Sequence, residues 1–214
     1  MALFSFLLWY FPMGLYRNAR ESGAEHSRST LILLFIWVFF IFTTSFAFLV
    51  IAGLESAEVA GGIVGLLTIM MFTFCGVIAG PTSMPRFWIF MYRANPFTHF
   101  VEGFVSTALA NAQATCASNE YLRFNVLEGS TCIEYMQDYI DLAGGFLSDE
   151  NSTSECEFCP IKDTNKFLMG VSIDFLNRWR NFGLMWVFVI FNVVVAVLLF
   201  WLTRVPKTKK AKNV

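Results

Sequence analysis

Three stretches without a single charged residue, at positions 31–54, 59–80 and 182–203, constrain this chain more than any other feature. Each exceeds the ~20 apolar residues needed to cross the hydrocarbon core of a bilayer as a helix. Only 14% of the residues are charged and 56% are hydrophobic, against roughly 25% and 45–50% in soluble domains. The expected fold class is therefore an all-α polytopic membrane protein.

The remaining segments are placed around these spans. Residues 1–16 are apolar but too short to cross, and they lack the basic start of a signal peptide, so they read as the end of a longer helix. The spans 31–54 and 59–80 are separated by a turn carrying Glu55 and Glu58, which makes them antiparallel neighbours. Residues 84–112 are interrupted by Pro85, Arg86, Arg93 and Asn95-Pro96, and are expected to be interfacial or re-entrant. Broken backbone at membrane depth is tolerated only where protein or a wet cavity covers it, so this piece should pack against the spans.

Residues 113–181 form a loop whose stretch from Gln113 to Asn177 carries eleven acidic residues, from Glu120 to Asp174, against Arg123, Lys162 and Lys166. The tail 204–214 is basic, with Arg204, Lys207, Lys209, Lys210 and Lys212 and no acid, the mark of a cytoplasmic flank. That orientation puts the acidic loop outside, Glu55 and Glu58 inside, and the loop 17–30 outside, although Arg17, Arg20 and Arg28 there run against the positive-inside rule. The loop holds Cys116, Cys132, Cys156 and Cys159 and the sequon Asn151-Ser152-Thr153, features of an oxidising, glycosylating compartment. Its cysteines are expected to form structural disulfides in one of three pairings, in preference to a Cys156–Cys159 redox pair or half of a zinc site.

Catalytic motifs are missing. There is no G-x-x-x-x-G-K-[ST] phosphate loop, and His26 and His99 lie in different segments without ligand spacing, so no metal site is expected. Glu102 is the single acid in an apolar helical stretch, where a functional role is the default, unless it lies near the outer interface and reaches water. In the span 59–80, Thr68, Met71, Phe72, Cys75 and Ile78 recur at spacings of three and four, which puts them on one helix face. That face either packs against other helices or borders a pocket for apolar compounds. Cys75, alone in an apolar run, reads as a small buried hydrophobe.

Several strings carry a resemblance. Trp9-Tyr10-Phe11-Pro12-Met13-Gly14-Leu15-Tyr16, Phe74-Cys75-Gly76-Val77, Met84-Pro85-Arg86-Phe87-Trp88, Asn95-Pro96-Phe97-Thr98, Cys156-Glu157-Phe158-Cys159-Pro160, Arg178-Trp179-Arg180-Asn181-Phe182-Gly183 and Trp201-Leu202-Thr203-Arg204 occur in order along the whole chain. They resemble the C-terminal end of fungal pleiotropic-drug-resistance ABC transporters. The resemblance implies a partial ABC-2 type transmembrane domain with re-entrant helices and a disulfide-braced extracellular loop, from an exporter of hydrophobic drugs or lipids at the plasma membrane.

By that resemblance residues 1–16 end the third helix of the second membrane domain, the next two spans are its fourth and fifth, and 182–203 is the sixth. Thr68, Met71, Phe72 and Cys75 would then border the drug cavity, and Ile78 would match the apolar plug between cavity and exit. ATP and magnesium would be bound by nucleotide-binding domains outside this chain, which has no ATPase activity of its own. The implied partners are the bilayer, the remaining helices and nucleotide-binding domains, and hydrophobic small molecules, not nucleic acid. Two other readings are a nonfunctional truncated remnant and a four-helix scaffold of the tetraspanin kind, although the loop lacks the Cys-Cys-Gly string of the latter.

Overall fold

The computed structural model describes residues 1–54, 56–78, 80–112, 116–126, 129–161 and 163–204. Glu55, Glu128, Lys162 and the basic tail from Lys207 onward, which entered the orientation and loop readings, lie outside the described residues. Nine α-helices are described in chain order: α1 Ala2–Tyr10, α2 Leu15–Glu21, α3 Glu25–Ala52, α4 Ala57–Thr73, α5 Ile89–Ala94, α6 Pro96–Leu109, α7 Cys132–Ala143, α8 Thr164–Gly170 and α9 Arg178–Arg204. Three short strands lie among the last of them: β1 Leu122–Asn125, β2 Phe146–Leu147 and β3 Glu155–Cys159.

Among the described residues, two helical stretches, Glu25–Ala52 and Phe175–Thr203, are long and apolar enough to cross a membrane. Both begin earlier than the uncharged runs alone indicate. The expected loop 17–30 is largely helical, because α2 occupies its first part and α3 starts at Glu25. An acid in the first turn of α3 complements the positive end of the helix dipole, so the polar turn Glu25-His26-Ser27-Arg28 extends the helix.

The helix expected over 59–80 is instead α4, which ends at Thr73. Gly76 then takes φ +92°, a left-handed conformation that a helix cannot continue through. Cys75 and Ile78 therefore do not extend the helical face of Thr68, Met71 and Phe72.

Phe and Ile side chains at helical spacing on α3 make it the hub. Its Val38 and Phe42 pack with Phe97 of α6, Met185 and Val189 of α9, and Cys75, with Met71 of α4 and Trp186 of α9 around them. Towards its start, Ile32 and Ile36 pack with Tyr10 of α1 and Ala108 of α6. A polar pair crosses the α3–α9 contact: the buried Asn192 donates from Nδ2 to Ser45 Oγ at 3.3 Å. Close approach of α6 to α3 depends on Gly103, where a Cβ would run into the ring of the fully buried Phe35.

Among the described residues of 113–181, expected as a loop, is a three-stranded antiparallel sheet in the order β1-β3-β2. The all-α expectation is corrected here, because Glu155-Cys156-Glu157-Phe158 alternates polar and apolar residues with the period of a strand. Cys156 and Phe158 are buried against Cys132 of α7 and Leu147 of β2, and Arg123 pairs with its cross-strand neighbour Glu157 at 3.0 Å. α7 opens with a reciprocal Thr131–Glu134 capping box. Two disulfides, Cys116–Cys159 and Cys132–Cys156, close the segment. Cys156 and Cys159 thus bond to different partners and form no redox pair with each other.

A Gly103→Ala change should force Phe35 aside and cost about 1–3 kcal/mol by overpacking. Gly183→Ala in α9, where a Cβ would meet nothing, should be neutral or slightly stabilising because alanine favours helix. Melting temperatures of the two variants in detergent, compared with the parent, check the contrast.

Candidate functional site

The polar chemistry of the helical part gathers at α6. Asn95 precedes it in an extended conformation, and Pro96 occupies the first turn, where its missing N–H costs nothing. Asn95 Oδ1 accepts from Phe97 N at 3.0 Å, capping α6, while its Nδ2 donates to the carbonyl of Met71 in the last turn of α4. One buried side chain therefore satisfies the orphan groups of two helix ends.

At the other end of α6 the carbonyls of Ala108, Leu109 and Ala110 are taken by three different elements. Asn18 of α2 donates to Ala108 O at 3.3 Å, Thr164 of α8 to Leu109 O at 2.6 Å, and Arg28 of α3 to Ala110 O at 2.6 Å. A guanidinium at the C-terminal end also complements the negative pole of the helix. Asn111, held in a left-handed conformation at φ 58°, exchanges two 2.9 Å hydrogen bonds with Asn165, fixing α8 and the disulfide-bonded segment to this end.

Glu102 lies midway along α6 and is buried at 9% exposure. Its Oε1 accepts from Asn177 Nδ2 at 3.2 Å and lies 4.0 Å from the Arg180 guanidinium. One turn earlier His99 Nδ1 is 3.2 Å from Asn181 Oδ1, which accepts from it in the Nδ1–H tautomer. Thr98 Oγ1 and Asn181 Nδ2 are buried without a hydrogen-bond partner among the described residues. The result is a polar seam joining α6 to the start of α9 inside an otherwise aromatic bundle. Asn177, Arg180 and Asn181 as partners, and Arg28 and Asn18 as caps, were not singled out from the sequence; the signal available was the Arg178-Trp179-Arg180-Asn181 string, which entered only as part of the resemblance.

The residues expected to share a cavity face are divided. Met71 packs into the core, Cys75 is buried with its thiol donating to Phe72 O at 3.0 Å, and Thr68 is half-buried. Phe72 and Ile78 point outwards, at 52% and 67% exposure. The four loop cysteines are brought together as two nested pairs, and the sequon residue Asn151 is exposed on a turn.

Two apolar helices long enough to span, a third shorter one, and a helix capped at both ends by its neighbours have the length and composition of a helical membrane domain. Residues 1–109 match the family model described as ABC-2 type transporter, and the chain belongs to that family. It is 51% identical over 211 residues to the ABC multidrug transporter F of Aspergillus fumigatus, covering 98% of this chain and 14% of that protein. It is 51% identical over 210 residues to the ABC-type transporter oblD of Aspergillus clavatus, with the same coverage. Against the ABC multidrug transporter AFR2 of Cryptococcus neoformans it is 48% identical over 202 residues, or 94% of this chain and 13% of that one. The chain thus spans about 14% of the length of the first two relatives. Family membership leaves the tetraspanin-like reading without support.

Replacing Glu102 by Ala should release Asn177 and Arg180 and cost about 1–2 kcal/mol, the range for a hydrogen bond to a charged group with one partner left partly exposed. Glu102→Gln keeps an acceptor for Asn177 and loses only the long contact to the exposed Arg180, so it should cost under ~1 kcal/mol. Thermal melts of the two variants in detergent separate the contributions.

Proposed function

We propose that this chain is the C-terminal membrane-spanning part of an ATP-dependent exporter of hydrophobic drugs, xenobiotics or lipids, seated in the plasma membrane with its C-terminus cytoplasmic. The observation that carries the reading is about 50% identity along almost the whole chain to proteins named as ABC multidrug transporters. ATP and magnesium would be handled by nucleotide-binding domains outside this stretch, whose binding energy switches the helices between inward and outward access.

The exposed apolar faces support a role within a larger assembly. On α4, Val59, Ile63, Leu66, Ile69 and Phe72 are exposed, and on α9 so are Ile190, Phe191, Val194, Val197 and Trp201. Apolar area on this scale marks contact with lipid or other helices. In this reading Thr68, Met71, Phe72 and Cys75 contribute to the wall of the drug cavity and Ile78 to its exit gate. Phe72 and Ile78 have the exposure such roles require, whereas Met71 and Cys75 support them from behind.

The segment 84–112 is proposed as the re-entrant hairpin, and the disulfide-bonded segment as an extracellular cap glycosylated at Asn151. Cross-links of this kind typically contribute ~2–4 kcal/mol each, chiefly by restricting the unfolded chain.

Expression of the complete gene product in a yeast strain lacking its own exporters should raise energy-dependent efflux of a hydrophobic fluorescent dye. Phe72→Ala should alter the dye profile without lowering surface abundance. An Asn151→Gln change should abolish the mass shift produced by a deglycosidase. A membrane product no longer than 214 residues with no efflux would instead establish the remnant reading.

A further inference from the structure

A second polar feature lies beside the seam and is not used by it. Where α3 and α9 begin, a cavity of about 360 Å³ is bounded by Ser27, Arg28, Thr107, Asn111, Phe175 and Arg178, among others. Arg28 is buried at 5% exposure. One of its terminal nitrogens is engaged by the carbonyl of Ala110, but its Nε has no hydrogen-bond partner among the described residues. Arg178 spends one donor on Phe175 O at 3.0 Å.

Both guanidinium groups approach the same ring: Arg28 Cζ is 5.3 Å and Arg178 Cζ 3.9 Å from the centroid of Phe175. Two like charges are thus held at one aromatic ring, and among the described residues neither forms a salt bridge. The acids nearby are engaged elsewhere. Asp174 caps Leu176 N at 2.9 Å, Glu25 faces Arg20 at 3.8 Å, and Glu102 faces Arg180.

A buried guanidinium with a free N–H is costly unless an acceptor meets it. The buried Arg28 and the half-buried Arg178 in one cavity create a local positive field that an anion relieves, and the planar fork suits the oxygens of a phosphate. The cavity sits at the start of both membrane-length helices, beside Trp179, and if those helices span a bilayer this is where aromatic and cationic side chains meet lipid headgroups.

We propose that this cavity binds a phosphate oxyanion through Arg28 and Arg178, with a phospholipid headgroup or free phosphate as its source. The proposal rests on the membrane reading of α3 and α9 and is independent of whether the assembly exports anything.

The test uses the complete membrane-extracted protein, stripped of lipid in detergent. Thermal stability is measured with inorganic phosphate, with a short-chain phosphatidic acid, and with a neutral diacylglycerol of the same chain length. Stabilisation by the phosphatidic acid alone supports the site and identifies a headgroup as the ligand. Stabilisation by both phosphate compounds, with none from diacylglycerol, supports it and identifies the oxyanion as sufficient. Equal responses to phosphatidic acid and diacylglycerol, or no response to either phosphate compound, overturn it.

Arg178→Gln, which leaves the Arg28–Ala110 cap in place, should weaken the apparent affinity about tenfold or more, as expected for loss of a charge-assisted contact. Arg28→Lys should retain some binding because it keeps the charge. Unchanged affinity in Arg178→Gln, in protein that melts like the parent, would also overturn the proposal. Detergent-dependent extraction and dye efflux are read separately, so failure of the site remains distinguishable from failure of the transporter reading.

Discussion

A helix of 14 residues with both ends buried must have its free backbone groups satisfied by something other than water, and α6 is such a helix. Its start is capped by Asn95, which also ties down the end of α4. Its end is capped by Asn18, Thr164 and Arg28, from three different elements. Each cap fixes a relation between α6 and a neighbour, so the positions of α2, α3, α4 and α8 follow largely from where α6 must sit. The hydrophobic effect offers little to choose among helix arrangements in lipid, which leaves close packing and interhelical hydrogen bonds to specify the bundle. Gly103 against Phe35 supplies the first and the caps the second.

The polar seam and the disulfide-bonded segment build on that frame. Glu102 and His99 face α9 because α6 is fixed in rotation by its ends, and they meet Asn177 and Asn181 where the long helix begins. Thr164 and Asn165 then join the sheet-bearing segment to the same end of α6 through Leu109, Asn111 and Ala112. Movement of α6 would therefore be felt both by α9 and by the segment that carries the disulfides. In the proposed exporter this is a physical route between helix rearrangement and the outer cap.

The membrane class and the long helices were legible because an apolar run of that length without a charge suits a bilayer and little else. Their starts were not, because Glu25, Arg28 and Arg178 read as loop charges, whereas in the structure each finds an ion-pair, carbonyl or aromatic setting at a helix end. The end of α4 was missed for the opposite reason: the residues after Thr73 are apolar, and only the left-handed Gly76 stops the helix. The broken character of 84–112 was visible in Asn95-Pro96, but the caps were not. A cap is defined by which distant side chain reaches a carbonyl, and spacing along the chain carries no record of that. The disulfide pairing had the same limit, since three connectivities were equally open until β3 aligned Cys156 and Cys159 towards different neighbours.

The central claim is that α6 lies against α9 through the His99–Asn181 contact as a fixed part of the bundle. It is tested most directly by cross-linking in native membranes. In a Cys75→Ala background, His99→Cys and Asn181→Cys are combined and treated with a short, membrane-permeant bifunctional methanethiosulfonate. Efficient cross-linking, read as loss of labelling by a second thiol reagent in the pair beyond that in either single variant, is the predicted result. If both single cysteines react and the pair never cross-links, α6 does not sit where the caps place it.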